Sequence, residues 1–511
     1  MTLKRIFLIG LTAIALLIMG TDLVESFSKP QFNSRLALYE SDLRLHLAEL
    51  RTDGTDDTSV QLKKMVEEST SPIIAAVTVY QESRGQVQSS LKTIATQLET
   101  AQNATAIALA KTEQIKQQTN LEDLTLRLGL LETRNSKVES AQKLWTELAA
   151  DSKTSASTQQ LSKILTSLWN DPPQVSADAT DRLNTLEGWY RYVAFDRLYT
   201  VNKQQDQRDQ LKTKEQITAQ SVLVKLSITG ITATASIGTG ILLFLGVIGQ
   251  RLVKGKDSWI AGLNETKWTV PWDWEDTWLV MVAGFFLVGQ LIVGFLIAPL
   301  IRSGLQVLKI QFDISPDILQ GLGVLGTYGA LAGGALTVLY LTIKPHLPLG
   351  DNWFRFNFKG NWLPWGLGGY LVAFPLVLGV SILNSQIWQG QGGSNPLLPL
   401  LLGSKDPIAL GLFFITTAIA APIFEELLFR GFLLPSLTRY FSTTTAIVLS
   451  GFIFALVHLS LSEVLPLTVL GILLGFVYAR TQNLLTSMML HSLWNSGTLI
   501  SLFVLGSAGR S

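Results

Sequence analysis

Hydrophobic and polar positions divide the chain into unlike parts. From residue 222 onward, apolar runs recur at about 222–249, 277–300, 319–343, 362–384, 407–434, 445–462, 464–480 and 484–505. Runs of roughly 17–25 apolar residues predict membrane-crossing helices. A shorter run, Ile6 to Met19, follows Lys4-Arg5. It predicts an uncleaved signal anchor or first transmembrane helix within 1–25, because Gly20-Thr21-Asp22-Leu23-Val24-Glu25-Ser26 makes a poor cleavage site.

Residues 26–220 follow a different pattern. They are rich in Gln, Lys, Glu, Thr and Leu, with apolar residues at 3,4 spacing: Leu91, Ile94, Leu98 and Ala101, then Leu121, Leu124, Leu128 and Leu131. That spacing predicts amphipathic helices, with a hairpin or short coiled coil over Leu91 to Leu148. Asp171-Pro172-Pro173 interrupts the pattern, and Ala177 to Gln220 resumes it. Trp189, Tyr190, Tyr192 and Tyr199 in that stretch are expected in a core. The fold class is therefore all-α: a polytopic membrane helix bundle with an N-terminal helical extramembrane domain at 26–220. The domain carries no catalytic constellation, and its expected role is to bind a protein partner or to regulate.

Composition agrees with a membrane protein. Only 15% of residues are charged, against about 25% in soluble domains, and 47% are hydrophobic. A net charge of +1 gives no nucleic-acid footprint, and the absence of cysteine excludes disulfides, thiolate metal sites and cysteine nucleophiles. Lys and Arg in short loops set orientation. Lys4 and Arg5 place the N-terminus in the cytoplasm and 26–220 outside. Arg251, Lys254, Lys256, Lys267, Lys344, Arg355, Lys359, Arg439 and Arg480 then fall inside, which predicts nine spans. Trp268, Trp272, Trp274, Trp278, Trp353, Trp362 and Trp365 are expected as interfacial anchors in the loops of the 221–399 region. The Gly-rich stretch Gln389 to Pro396 lacks the Gly-Lys-Ser/Thr ending of a phosphate-binding loop and predicts a tight loop.

The candidate chemistry lies in 400–505. Glu425, Glu426 and Arg430 interrupt an apolar helix, where each charge costs roughly 2.5–3.5 kcal/mol. Glu426 and Arg430 are i,i+4 and share a helix face, while Glu425 is rotated about 100° from Glu426. Phe454 and His458 form FxxxH, and His491 and Asn495 form HxxxN. One cavity lined by Glu425, His458, His491 and Asn495, with Glu426–Arg430 in support, is chemically sufficient for general-base hydrolysis of a peptide bond. A structural polar network, a proton or ion pathway and a zinc site are alternatives, although no HExxH is present. Counted along straight helices, His458 would lie about 18 Å deep and His491 only about 10 Å. A tilted helix, or one that starts within the membrane, is needed to bring them level.

EExxxR, FxxxH and HxxxN in this order resemble the CPBP family of intramembrane proteases, which includes CAAX prenyl endopeptidases and bacteriocin-immunity (abortive-infection) proteins. The resemblance covers about Leu400 to Leu505, with Arg430-Gly431-Phe432 and Gly475 to Arg480 also similar. Residues 26–220 more loosely resemble extended cyanobacterial-type members. The resemblance implies a glutamate-dependent endopeptidase without cofactor or catalytic metal. Glu425 and His458 would activate water, His491 and Asn495 would form an oxyanion hole, and Glu426 and Arg430 would support them. It also implies a membrane-associated protein or peptide substrate and a bacterial inner or thylakoid-type membrane. Prenylated proteins are not the expected natural substrate. A non-catalytic membrane scaffold is the rival expectation.

Overall fold

The computed structural model describes residues 2–27, 32–51, 71–100, 104–263, 268–388, 392–393, 400–401, 404 and 406–506. Among these residues every regular element is a helix. Contacts group the chain into two units, Ser28–Thr232 with Phe503–Ser511, and Met1–Phe27 with Ala233–Leu502.

Among the described residues eight helices precede the long apolar part: α1 (Leu3–Phe27), α2 (Phe32–Ala48), α3 (Pro72–Thr100), α4 (Ala104–Arg134), α5 (Val138–Ala150), α6 (Ala156–Leu168), α7 (Ala179–Leu183) and α8 (Gly188–Val201). α3 packs along α4, and α5 packs on both α4 and α6. Leu124, Leu128 and Leu131 of the 3,4 pattern are buried, as are Trp189, Tyr190 and Tyr192. Trp145 lies directly over Gly129, where a Cβ would come 2.2 Å from the indole nitrogen. Its N–H donates to the Leu126 carbonyl at 3.2 Å. Asp42 accepts from the hydroxyls of Tyr80 at 2.6 Å and Tyr190 at 2.7 Å.

The other unit contains α1 and the apolar helices. α9 (Gln205–Lys254) runs unbroken through the boundary expected at 220. Then follow α10 (Trp274–Phe312), α11 (Pro316–Ile343), α12 (Trp362–Trp388), α13 (Pro407–Leu437), α14 (Thr443–Leu456), α15 (Leu461–Thr481) and α16 (Leu484–Gly506). Seven described helices are long and apolar enough to cross a membrane. The chain is thus a multi-pass helical membrane protein. α1 buries Leu8, Leu11 and Ala15. Its Lys4 pairs with Asp276 at 2.9 Å and Arg5 with Glu275 at 2.6 Å.

Three expectations are corrected. Nine spans are expected, and the helix over the 484–505 run, although 23 residues long, is not among the seven described helices long and apolar enough to cross a membrane. The span expected over 445–462 is a helix of 14 residues. That length covers only about 21 Å, short of a ~30 Å hydrocarbon core. It stops because Leu459 takes a left-handed conformation at φ 55°. The third correction concerns tryptophan. Trp268, Trp272 and Trp353 are 5%, 1% and 6% exposed, and so they are core residues rather than lipid anchors. Each indole N–H finds a partner: Trp268 the Asn352 carbonyl at 3.2 Å, Trp272 the Ser436 hydroxyl at 2.8 Å, and Trp353 the Thr269 carbonyl at 3.2 Å. A satisfied indole can be buried at no polar cost. Of the Gly-rich loop, Gln389 to Gln391 and Ser394 to Pro396 lie outside the described residues. Lys267 also lies outside them.

α14 and α15 cross at two glycines. A Cβ on Gly471 would sit 2.7 Å from the Gly451 Cα, so the crossing tolerates no side chain on either helix.

Candidate active site

The site is built on α13, whose winding is not uniform. It widens to a π-helix over Ile415–Ala420 and again over Leu427–Leu433, with an α-helical turn, Ala421–Glu426, between them. Pro422 supplies the local cause, because it has no N–H for the preceding turn. The Ala421 N–H bonds the Thr416 carbonyl. In the same register the Thr417 carbonyl would meet Pro422 and find no donor. The Asn495 amide fills that position, donating to the Thr417 carbonyl at 2.8 Å. π-Helical turns of this kind concentrate at functional sites.

The adjacent glutamates occupy different environments. Glu426 is fully buried with Arg430, which donates to its Oε1 at 2.7 Å. Arg430 also donates to the Gly471 carbonyl at 3.0 Å, and its guanidinium lies 4.5 Å from the Phe454 ring centre. Glu425 keeps 17% side-chain exposure. The Tyr328 hydroxyl of α11 donates to its Oε1 at 3.1 Å.

His491 of α16 stands between the two carboxylates. Its Nδ1 is 3.0 Å from Glu426 Oε1, and its Nε2 is 3.8 Å from Glu425 Oε2. A carboxylate held by Arg430 can only accept, so the Nδ1 proton points at Glu426. His458 lies in the turn after α14. Its Nδ1–H donates to the Phe454 carbonyl at 2.7 Å, leaving Nε2 as the free ring nitrogen. The turn is tied from outside: the Gly392 carbonyl accepts from Ser462 N–H at 3.0 Å, and the Gly393 carbonyl from the Ser462 hydroxyl at 2.6 Å.

Phe454 is the common post. Its ring meets His458 edge-on at 4.9 Å and His491 at 5.7 Å. The depth difference expected from straight helices therefore does not separate the two imidazoles, since α14 ends before His458. Among the described residues no hydrogen bond or ion pair joins His458 to Glu425; the Phe454 ring links His458 to His491. Nor do three His, Asp or Glu side chains converge there as metal ligands do. The sequence reading missed Tyr328, Thr417 and Gly471. The one available signal was a hydroxyl within the Gly- and Ala-rich run of α11.

The fold and site define a polytopic membrane protein with a carboxylate–imidazole cluster enclosed by its helices. Residues 407–497, from α13 into α16, match the family model for type II CAAX prenyl endopeptidase Rce1-like proteins. This match supports a CPBP family member over that region. Three relatives match over parts of their lengths. The putative membrane peptidase YdiL of Bacillus subtilis is 32% identical over 18% of this chain and 38% of that protein. The membrane-embedded CAAX protease MroQ of Staphylococcus aureus is 28% identical over 27% of this chain and 57% of that protein. The UPF0177 protein YxdF of Lactococcus lactis is 29% identical over 25% of this chain and 68% of that protein. The match thus spans less than two thirds of the first two relatives. No solved structure matches the chain.

Proposed function

We propose that the chain is an intramembrane endopeptidase that hydrolyses a peptide bond of a membrane-associated protein or peptide through water activated by Glu425. The observation that carries the reading is the asymmetry of the glutamate pair. Glu426 is sealed against Arg430 and His491, while the Glu425 side chain keeps 17% exposure and is aimed by Tyr328. One carboxylate orients and the other is free to react. The names of YdiL and MroQ, a putative membrane peptidase and a membrane-embedded protease, support the same class.

In this mechanism Glu425 takes a proton from water as the water oxygen bonds to the scissile carbonyl carbon. His458, with Nδ1–H committed to Phe454, offers Nε2 to hold that water. The developing oxyanion is met by the second amide hydrogen of Asn495, whose first is held by Thr417, and by His491 in its imidazolium form, with Nδ1–H held on Glu426 and Nε2–H as the donor. Glu425 then returns the proton to the leaving nitrogen as the C–N bond breaks. Each such contribution is worth about 10²–10⁴ in rate for the base and about 10²–10³ for an oxyanion donor.

The test is cleavage of a quenched-peptide library by the detergent-purified full chain, beside Glu425→Gln, His458→Asn and a chelator arm. The expected result is turnover lost by about a hundredfold or more in Glu425→Gln and kept in chelator. His458→Asn retains a donor for Phe454 but lacks the far nitrogen, so it also loses turnover while its melting temperature holds. Turnover retained in Glu425→Gln would overturn the mechanism. A second reading, a non-catalytic scaffold, is favoured by one observation: the Arg430–Glu426 pair, the Arg430–Gly471 bond and the Asn495–Thr417 bond tie helices together inside the protein as a structural network would. That reading expects Glu425→Gln to leave function unchanged.

A further inference from the structure

A cavity of about 1020 Å³ lies within the membrane unit, between α9, α12 and α15. It is as large as the biggest small-molecule pockets, which run to roughly 1,000 Å³. None of Glu425, Glu426, Arg430, His458, His491 and Asn495 lines it. It is therefore not the site described above, although its wall residue Ile472 follows Gly471, the carbonyl partner of Arg430.

The lining divides into two parts. The walls are apolar, with Phe244 and Val247 from α9, Trp365 and Val372 from α12, and Leu473 and Phe476 from α15. At one end stand Arg355, Lys359 and Arg480, all exposed, and no Asp or Glu lines the cavity. Arg480 donates to the Trp259 carbonyl. Among the described residues, the Arg355 and Lys359 side chains have no carboxylate partner. Trp259 and Trp362 flank the same end, the depth at which indoles meet head groups. Gly368 on α12 lines the cavity, and a Cβ there would meet nothing within 4 Å.

We propose that this groove is a binding site for a glycerophospholipid with a net anionic head group. Its phosphate would lie at Arg355, Lys359 and Arg480, and an acyl chain would run along the α9–α12–α15 walls. Charge decides the class. Three cations without a lining carboxylate favour an anionic head group over a zwitterionic one, and basic pockets between membrane helices recognise such lipids. The apolar walls decide against a free anion, since they would gain nothing from inorganic phosphate. The open space above Gly368 accepts a chain and requires no rearrangement.

The experiment uses the full chain, delipidated in detergent, with bound lipid counted by native mass spectrometry. Phosphatidylglycerol, phosphatidylcholine, oleate and inorganic phosphate are titrated separately. Phosphatidylglycerol should be retained at lower concentration than phosphatidylcholine or oleate, and phosphate should leave no adduct. Arg355→Gln and Lys359→Gln should each weaken phosphatidylglycerol retention about fivefold and leave phosphatidylcholine unchanged. Gly368→Leu should reduce retention of both lipids, with helicity and melting temperature preserved. Equal retention of the two phospholipids by the wild-type chain would overturn the proposal. So would phosphatidylglycerol retention that survives Gly368→Leu in a folded protein, or a phosphate adduct without lipid. If Gly368→Leu lowers the melting temperature, the two charge variants decide alone.

Discussion

His491 Nδ1 lies 3.0 Å from Glu426 Oε1, the same oxygen that accepts from Arg430 at 2.7 Å. The imidazole is therefore anchored by a buried ion pair, and its other nitrogen is turned toward Glu425. Glu426 and Arg430 are both 0% exposed, so removing one charge strands the other. Stranding a buried charge costs about 3–5 kcal/mol, whereas replacing a whole pair with apolar groups is often neutral. Glu426→Gln should lower the melting temperature in detergent strongly. Glu426→Gln with Arg430→Met should recover most of that loss without restoring turnover. Equal melting temperatures for Glu426→Gln and wild type would show that the pair is not anchored as described.

Tyr328→Phe deletes the hydroxyl that donates to Glu425 and keeps the ring, which stands edge-on to Phe424 at 6.0 Å. A hydrogen bond to a charged group is worth about 1.5–3 kcal/mol. The expected result is a fall of about tenfold to a hundredfold in kcat/KM with the melting temperature held. Unchanged kinetics on a substrate that the wild type cleaves would remove Tyr328 from the site.

Gly451→Ala places a methyl 2.8 Å from the Ile472 nitrogen and 2.9 Å from the Gly471 carbonyl carbon. Backbone atoms cannot swing aside, so α14 and α15 must separate, at about 1–3 kcal/mol for overpacking. Gly411→Ala on α13 meets nothing within 4 Å and should be neutral. Thermal melts of the two variants should differ clearly; matching melts would show that the crossing has slack.

What was legible in the sequence is what depends on local geometry. Glu426 and Arg430 are four apart on one helix, and their bond needs nothing else. FxxxH likewise brings His458 back to the Phe454 carbonyl. Tyr328 was not legible because it reaches Glu425 from 97 residues away, through the packing of α11 on α13. The end of α14 was hidden because Val457 and Leu459 continue an apolar run. The left-handed Leu459 ends the helix, and the distant carbonyls of Gly392 and Gly393 hold Ser462 just beyond it. Trp268, Trp272 and Trp353 look like belt residues by composition. Only the partners at Asn352, Ser436 and Thr269 show why they are buried.

Asp42, in the helical unit, gives a prediction for pH. Its Oδ1 accepts from Tyr80 and Tyr190, and Arg127 reaches Oδ2 at 3.2 Å. Burial pushes the Asp42 carboxyl above its ordinary range, and Arg127 and the two hydroxyls only partly oppose it. Burial, with Asp42 beside them, also holds both tyrosines well above 10, so they stay protonated through the acid and neutral range. The folded state therefore keeps the Asp42 proton to higher pH than the unfolded chain, whose aspartate titrates near ~3.9. Between those two values the folded state binds more protons, so stability must fall as pH rises. The contribution is complete below the unfolded value and is lost as pH climbs through the folded one. Asp42→Asn keeps an oxygen for the tyrosine hydroxyls and cannot titrate. Thermal melts of the full chain from acid to neutral pH should show a downward component in wild type that is absent in Asp42→Asn. Parallel curves for the two proteins would mean that Asp42 titrates alike in both states.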